Sequence, residues 1–498
     1  MDPQRRSFLQ GVRIQGSPTA SVTVHNLQTT PSTVSLPPPD PDMLLLNRCS
    51  FGISRQMVRQ IRRQGRNRWL QQQLSPGKTD EAELEEWLRE QTPTIYMSEQ
   101  ELAELDQGFR AANQLKQATL FRALYSRHQL YEVMVEFWSN HFSIYHRDGA
   151  VALLKTIDDR EVIRRHALGR FRDLLHASSK SPAMLLYLDN HSNIAGTPNE
   201  NYARELMELH TLGVGGGYTE TDVREVARCF TGWALGHRKS PDAGRFRFYP
   251  SRHDQGSKTV LGTHIPAGGG IRDGEQVIDM LASHPSTARF ISFKLARHFV
   301  SDAPPESLVQ RMTRLFLDTD GDIPSLLEEM LLSREFMDSP DNKLRRPLDF
   351  IIGALRVTAA SLQRKSYPGL RDHLYALGQV PFEWVPPDGY PDTADYWTST
   401  SGMLNRWNFS SALAGSRLPG TELDYLELAG PRRTPEAIVD RLAETLLHRP
   451  LTDAHRQNFI NLLADTDRQQ DTLDDHEVEE RLPLLIGLML SSPYFQYR

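Results

Sequence analysis

The sequence predicts a mainly α-helical protein, built as one large domain that carries a single small β-hairpin near residues 246–261. Apolar residues recur three and four positions apart through most of the chain, which is the spacing of a buried helix face. Alternation of period two is convincing only within that short hairpin segment. The 498 residues are 39% hydrophobic and 24% charged, which is enough apolar material for one large core.

Composition argues against two classes of protein. The net charge of -6 does not favour nucleic-acid binding, and the locally basic run 55–68 contains no aromatic residue between its arginines for stacking on bases. No apolar run approaches the roughly 18 residues that a membrane-spanning helix needs. Cys49 and Cys229 are the two cysteines, so at most one disulfide can form, and the sequence does not decide whether they pair.

Residues 1–42 are predicted to be a flexible, Pro-rich arm in front of the domain 43–498. Arg5 and Arg6, followed by Ser-Phe-Leu, match the core of a twin-arginine export signal, but the segment after them is polar and contains Arg13. An export signal needs an apolar stretch there. The prediction is therefore a cytoplasmic protein, with a periplasmic or exported protein as the alternative.

Helices are predicted both before and after the β-hairpin, and the core motifs lie in residues 128–300. The clearest amphipathic stretch begins at His128, where Leu130, Met134, Phe137 and His141 share one stripe. The predicted helices lie at about 55–73, 79–91, 98–145, 149–166, 169–177, 182–188, 274–282 and 285–300. A long aromatic loop region follows at 378–409, and C-terminal helices are expected in 434–498.

A helical hairpin is predicted over 197–233. Thr197 is a good N-cap and Glu200 is placed as its capping-box partner, so a helix should run from Pro198 to Leu212 and end at Gly213. Thr219 with Asp222 should cap the second helix. The strands of the β-hairpin are expected at Phe246–Tyr249 and Lys258–Leu261.

Several motifs together resemble a bacterial family known as domain of unknown function 1800. They are the opening Leu44–Arg48 with Ser50-Phe51-Gly52, the hairpin 197–233, and His253-Asp254-x-Gly256-x-Lys258. The resemblance places Asn199, Glu200, Asn201, Arg204, Glu205, Glu208 and His210 in the family's most distinctive motif. Relatives are often exported and encoded near alkaline-phosphatase-like proteins, which implies a substrate or partner in the cell envelope.

Four side chains are predicted as metal ligands. His141 and His210 lie on apolar helix faces, and Glu205 and Glu208 are one helical turn apart. Neutral imidazole with carboxylate is an ordinary ligand set for Zn, Mn or Fe where cysteine is absent. The alternative is structural: two core histidines bonded to carbonyl groups, and carboxylates paired with Arg204.

The predicted catalytic residues are Glu205 and Glu208, with His253, Asp254 and Lys258 on the hairpin loop, where acid-base or anion-binding work is chemically possible. A hydrogen-bonded loop is the alternative for the last three. Asp318–Asp322 imitates a calcium loop but has Ile323 where the sharp-turn Gly belongs, so Asp322 is interpreted as an N-cap.

Two functions remain open. The first is a metal-assisted enzyme, a hydrolase acting on cell-envelope or extracellular polymer such as polysaccharide, with a divalent metal as its cofactor. The second is a non-catalytic binding or assembly protein of the envelope, for which the 378–409 loops form the contact surface and an alkaline-phosphatase-like protein is a candidate partner.

Overall fold

Helices dominate the computed structural model, which describes residues 36–77, 81–105, 108–146, 149–237, 242–363, 366–464 and 472–498. Pro37–Arg498 is one compact unit. The twin-arginine motif and most of the predicted arm lie outside the described residues. The first helix begins at Pro41 behind the cap residue Asp40, two positions before the predicted domain boundary. None of the helices described is long and apolar enough to cross a membrane.

The helices before the hairpin form the first half of the core. Their bounds are Pro41–Arg48, Arg55–Gln64, Arg66–Leu74, Ala82–Gln91, Pro93–Tyr96, Glu99–Ala103, Gly108–Tyr125, Gln129–His141, Gly149–Ile157, Asp158–Arg164, Phe171–Ser179 and Pro182–Tyr187. Asp158–Arg164 is a π-helix and Pro93–Tyr96 a 3₁₀ turn.

The middle of the chain contains shorter helices around the strands. Their bounds are Asn190–Ser192, Asn201–Glu205, Leu206–Thr211, Glu220–Cys229, Pro250–Arg252, Ile271–Ala282, Pro285–Phe299, Glu306–Asp318, Ile323–Leu331 and Arg334–Met337. The last part contains Pro347–Val357, Ser366–Leu377, Ala394–Trp397, Thr400–Ala414, Tyr425–Ala429, Pro435–Leu442, Ala443–Leu447, Asp453–Leu463, Asp475–Ser491 and Pro493–Gln496.

The predicted caps are confirmed except at the first helix of the hairpin. Thr219 and Asp222 form the capping box of Glu220–Cys229, and Asp322 accepts a hydrogen bond from the backbone of Ser325 at 3.0 Å. The helix predicted from Pro198 begins at Asn201 instead, and the Asn199 side chain accepts from its first N–H. The cap assignment to Thr197 and Glu200 was wrong because an Asn two residues before the helix competes for the same N–H group.

The strands predicted at 246–249 and 258–261 exist, but they do not pair with each other. Phe246–Phe248 pairs with Trp233–Leu235, and Lys258–Val260 pairs with Thr263–Ile265, both antiparallel. Two separate strand pairs replace the single wide hairpin, and a two-residue turn at Leu261-Gly262 joins the second pair. A third two-stranded sheet joins Ser361–Leu362 to Thr421–Glu422, which the sequence pattern did not indicate.

The helical spacing of the sequence predicts that six apolar residues of the central helix and the helical hairpin share one core. Phe137, Trp138, Leu206, Val226 and Phe230 are buried, and Leu209 is only half-buried. Residues Leu206–Thr211 form a π-helix, whose wider turn places Met207, His210 and Thr211 inside with Leu206. A wider turn shifts the helical phase by one residue, and a 3.6-residue pattern cannot anticipate it.

Buried arginines connect the ends of the chain through backbone carbonyl groups. Arg48, on the first helix, donates to the carbonyls of Val300 at 3.0 Å and Ser339 at 2.6 Å, and also to that of Phe299. Arg345 donates to the Phe495 carbonyl at 2.9 Å. These charge-assisted bonds join segments that are 150 to 291 residues apart in the chain. Cys49, next to Arg48, and Cys229 are both buried free thiols.

Candidate functional site

His141 ends the central helix Gln129–His141 and is almost fully buried. Its Nε2 lies 3.0 Å from the His210 carbonyl oxygen, and its Nδ1 lies 3.0 Å from Lys294 Nζ. A carbonyl only accepts, so Nε2 carries the proton and the neutral Nδ1 accepts from the lysine. Both ring nitrogens of His141 therefore have protein partners.

His210 lies on the π-helix, with its ring centroid 6.1 Å from that of His141. Its Nε2 is buried and has no hydrogen-bond partner among the described residues. Burial, with a further contribution from Lys294, lowers the pKa of His210 to about 3. Burial and then Lys294 also hold the pKa of His141 well below its usual value. The structure thus brings the two predicted histidines together as neutral rings.

Lys294 lies on the helix Pro285–Phe299 and keeps part of its side chain at the surface. Burial lowers its pKa to about 8; Asp392 and Asp388 oppose that shift and Arg297 adds to it. Its hydrogen bond goes to a neutral imidazole, while the two carboxylates act on it through space. A lysine in this state is deprotonated in part near neutral pH, which is unusual for a surface lysine.

Glu205 and Glu208 are half-buried on the same hairpin helix. Burial raises the pKa of Glu205, as do the nearby Glu208 and Asp388, with Arg204 opposing them. Arg204 donates to Glu220 at 2.7 Å and to Glu200 at 3.4 Å. Arg204 therefore pairs with Glu220 and Glu200, and not with Glu205 and Glu208 as the structural alternative expected.

The region 378–409, predicted as a long loop, is a loop only up to residue 393, because Ala394–Trp397 and Thr400–Ala414 are helical. The loop part, 378–393, lies beside this group. Asn140 holds the loop backbone at Tyr390 by two hydrogen bonds, one donated at 2.9 Å and one accepted at 2.7 Å. Gly389 has a φ of 76°, and a Cβ there would lie 2.2 Å from the Asn140 carbonyl oxygen, so only glycine fits. Trp384 donates its indole N–H to Asp388 Oδ1 at 2.7 Å. The loop thereby places Asp388 near Glu205 and Lys294.

Asp392 is anchored on the inner side of the same loop. It accepts from His298 at 2.9 Å and from Lys343 at 3.3 Å, and Lys343 also donates to Asp302 at 2.6 Å. His298 and Lys343, with the neighbouring Arg346, hold the pKa of Asp392 well below its usual value despite its burial. Asp392 therefore holds the loop through its ion pairs, whereas Asp388 lies close enough to Glu205 and Lys294 to influence their pKa values.

In the described part of the chain, the four predicted metal ligands, His141, Glu205, Glu208 and His210, do not form a group that could coordinate a metal ion. Within the described ranges, no three His, Cys, Asp or Glu side chains are grouped so that they could hold a metal ion. His141 would have to give up one of its two hydrogen bonds to become a ligand. The metal site and its divalent ion stay predictions.

His253 and Lys258, predicted as catalytic, belong to a second cluster with different partners. Asp273 Oδ2 lies 2.5 Å from Lys258 Nζ and 3.1 Å from His253 Nε2, and all three side chains are buried. His253 Nδ1 lies 2.8 Å from the Thr231 carbonyl oxygen, and Lys258 also donates to the Asp254 carbonyl. The hydrogen bonds described for this cluster do not reach the His141 group.

Asp254 lies at the edge of the second cluster and is part-exposed. Arg228 donates to both of its oxygens, at 2.8 and 3.1 Å, and the Gly256 N–H donates at 2.9 Å. The bonds from Arg228 are the main reason why the pKa of Asp254 falls to about 2. This carboxylate is an internal ion-pair partner, so the hydrogen-bonded-loop alternative describes its contacts.

Sequence reasoning missed Lys294, Asp388 and Asp392. One signal was present: Lys294 and His298 are four residues apart within the apolar helix 285–299, where charged residues usually have a specific partner. The two aspartates flank Gly389-Tyr390-Pro391, a sequence that is typical of a turn. Their contact with the hairpin helix depends on a long-range docking that local patterns do not contain.

Comparison with known proteins identifies the family of the chain. No curated protein and no solved structure shows significant similarity to it. The family model described as Protein of unknown function (DUF1800) matches residues 44–497. Because that match spans nearly the whole chain, the protein belongs to the DUF1800 family.

Proposed function

We propose that the chain is an acid-base hydrolase whose centre comprises Glu205, Asp388 and Lys294. The observation that carries this proposal is the position of Asp388, which acts electrostatically on Glu205, on Lys294 and on Tyr187. Glu205 has a raised pKa and Lys294 has a lowered pKa, so both pKa values are shifted toward neutral pH. Two groups whose pKa values are shifted in opposite directions near a shared carboxylate are typical of catalytic centres.

The chemistry follows from the two carboxyl groups. Glu205, half-buried, holds its proton to higher pH than an ordinary glutamate and can act as a general acid. Asp388 is oriented by the Trp384 indole and can act as the partner base or nucleophile. Two carboxyl groups in different environments are the usual machinery for cleaving glycosidic bonds. Lys294 supplies positive charge for an anionic substrate or a developing negative charge.

The proposed substrate is a polysaccharide of the cell envelope or the extracellular matrix. Trp384 and the half-exposed Tyr396 pack edge to face, 5.9 Å between ring centroids, beside Asp388. Aromatic faces next to a carboxylate suit a sugar ring, which offers an apolar face and hydroxyl donors. The envelope location comes from what is typical of the family and not from the fold.

The test is hydrolysis of peptidoglycan and of purified bacterial exopolysaccharides by the full chain, followed as release of reducing ends. Glu205→Gln and Asp388→Asn should each lower the rate by a factor of about 100 or more. Glu220→Gln is the matched control, because Glu220 is exposed on the same hairpin and pairs with Arg204. Equal rates for wild type and both site variants would contradict the proposal.

Metal dependence is a separate arm of that test. The assay is run on chelator-treated protein and again after addition of Zn²⁺ or Mn²⁺. Activity that needs the added ion and is lost in His210→Ala would return the metal-assisted hypothesis to first place. Activity unchanged by the chelator supports the two-carboxyl mechanism.

A binding or assembly protein is the second candidate, supported by exposed apolar side chains in the 378–409 region. Val385 is 60% exposed, Leu404 53% and Trp407 50%. Such side chains are enriched at contact surfaces. Trp407→Ala should abolish retention of polysaccharide or of an alkaline-phosphatase-like partner while leaving any hydrolysis unchanged, if this is the function.

A further inference from the structure

Lys258 and Asp273 form an ion pair that is held in contact inside the protein. Lys258 Nζ lies 2.5 Å from Asp273 Oδ2, and the two side chains are 0% and 2% exposed. Gly269 makes this possible, since a Cβ there would lie 1.9 Å from the other carboxyl oxygen of Asp273. From this geometry we infer that Lys258 and Asp273 become joined by an intramolecular isopeptide bond that the folded protein forms by itself.

His253 supplies the proton relay that such a bond needs. Its Nδ1 donates to the Thr231 carbonyl at 2.8 Å, so Nε2 faces Asp273 Oδ2 at 3.1 Å and Lys258 Nζ at 3.5 Å. Two lone pairs at 3.1 Å repel, so a proton lies between Nε2 and Oδ2. The proton between Nε2 and Oδ2 can pass to the departing oxygen of Asp273, and the ring, then neutral at Nε2, takes a proton from the ammonium group of Lys258 and ends as it began.

The reaction balances within the protein. Lys258 begins as an ammonium and Asp273 as a carboxylate. A bond forms between Nζ and Cγ, the bond from Cγ to Oδ2 breaks, and two of the three nitrogen-bound protons leave with that oxygen as water. The product is a neutral amide with one N–H, and no oxidant, reductant or cofactor is consumed. Burial favours this outcome, because it replaces two charges in a dry site by one amide.

A second lysine-aspartate pair provides an internal comparison. Lys155 and Asp158 are equally buried, at 0% and 2% exposed, and lie 2.6 Å apart. The other oxygen of Asp158 accepts from the Ser181 hydroxyl at 2.6 Å, where the Lys258 pair has an imidazole in contact. A hydroxyl is a poor proton relay near neutral pH. The inference is therefore that the first pair reacts and the second remains an ordinary ion pair.

The bond would join the strand Lys258–Val260 to the helix Ile271–Ala282. It would close a short loop covalently, as a disulfide does, and so restrict the unfolded chain. Both cysteines of the chain are free thiols. A cross-link that is insensitive to reductant would be useful in any compartment.

The experiment is mass spectrometry of the purified, full-length, denatured protein. The expected result is an intact mass lower than that of the sequence by one water, and a branched tryptic peptide that contains Lys258 and Asp273. Lys155 and Asp158 should appear only in linear peptides. His253→Ala should restore the full mass or slow the loss of water at least about 100-fold, as expected when a proton relay is removed.

Two results would overturn the inference. One is a full intact mass with Lys258 recovered in linear peptides, and this is decided on the wild type whether or not any variant folds. The other is a loss of water located within the Asp273-Gly274 peptide alone, which indicates a succinimide and no link to Lys258. Lys258→Met separates these cases, because it abolishes the branched peptide and leaves a succinimide possible.

Discussion

The two lysine-histidine clusters differ in where their carboxylate lies. In the His253 cluster, Asp273 contacts both the lysine and the histidine, and all three side chains are buried. In the His141 cluster, Lys294 contacts a neutral ring, while Asp388 and Asp392 act on it from a distance. The first arrangement neutralises its charge internally. The second has a lysine with a pKa lowered to about 8 and a glutamate, Glu205, with a raised pKa. Contact partners, more than residue types, therefore separate a structural lock from a reactive site.

Removing the carboxylate from each cluster should give the largest contrast in stability. Asp273→Ala leaves Lys258 buried without a counter-ion and also removes the proposed isopeptide bond, so it should lower the free energy of unfolding by at least about 3–5 kcal/mol. Asp388→Asn keeps the Trp384 hydrogen bond and should change it by less than about 1 kcal/mol. Urea unfolding curves measure both. Similar losses in the two variants would erase the distinction between the clusters.

Acid should destabilise the protein through the His141 cluster. His210 stays neutral in the folded state down to pH about 3, whereas in the unfolded chain it takes up a proton below about pH 6.5. The unfolded state then binds more protons, so stability falls as the pH drops through this range, by up to about 1.4 kcal/mol per pH unit. His210→Leu should flatten the fall between pH 6 and 4.

The control for that measurement is His264→Gln, at an exposed histidine on a strand. It should leave the dependence of the unfolding free energy on pH unchanged. If His210→Leu and His264→Gln have the same pH dependence as wild type, His210 is not held neutral by burial.

Lys294 should react with acylating reagents at lower pH than other lysines. With its pKa lowered to about 8, half of its side chains are neutral amines at pH 8, and only the neutral amine is nucleophilic. Peptide-level quantification of acetylation at several pH values gives the midpoint. Lys180, which pairs with Glu275 at 2.7 Å, is the comparison, and identical pH profiles for the two would remove the evidence for a perturbed lysine.

The smallest expected effect is on melting temperature. Burial, Glu208 and Asp388 raise the pKa of Glu205, so its charged form is disfavoured in the folded state and its cost appears as the pH rises above about 4.5. Glu205→Gln should therefore raise the melting temperature slightly at pH 7 and not at pH 4, while lowering hydrolysis. A clear loss of stability at pH 7 would instead indicate a buried hydrogen-bond network.

Local patterns predicted the helices and the buried stripe well. The central helix from Gln129 carries Phe137 and Trp138 inward as expected, and Thr219 caps its helix as expected. The burial of Leu209 and the strand pairing of 246–248 differ from the prediction. A π-turn and the choice among nearby strands both depend on tertiary packing.

The candidate site was predictable only in part. His141 and His210 stand on apolar faces, and a helical bundle could be expected to bring them together, as it does. Asp388 lies near Glu205 because the Asn140 side chain is hydrogen-bonded to the backbone of a loop 250 residues later in the chain. A single sequence contains no record of such a contact, so Asp388 could not be predicted as a residue that raises the pKa of Glu205.

The buried arginines have a consequence for synthesis on the ribosome. Arg48 needs the carbonyl groups of Val300 and Ser339, which emerge more than two hundred residues later, roughly 10–60 s at ordinary translation rates. Until then the first helix lacks the segments that bury its three consecutive leucines, Leu44–Leu46, and that bind its Arg48 guanidinium. The nascent chain should therefore bind chaperones through this segment for most of its synthesis, and the N-terminal helix should be among the last elements to become protected from hydrogen exchange.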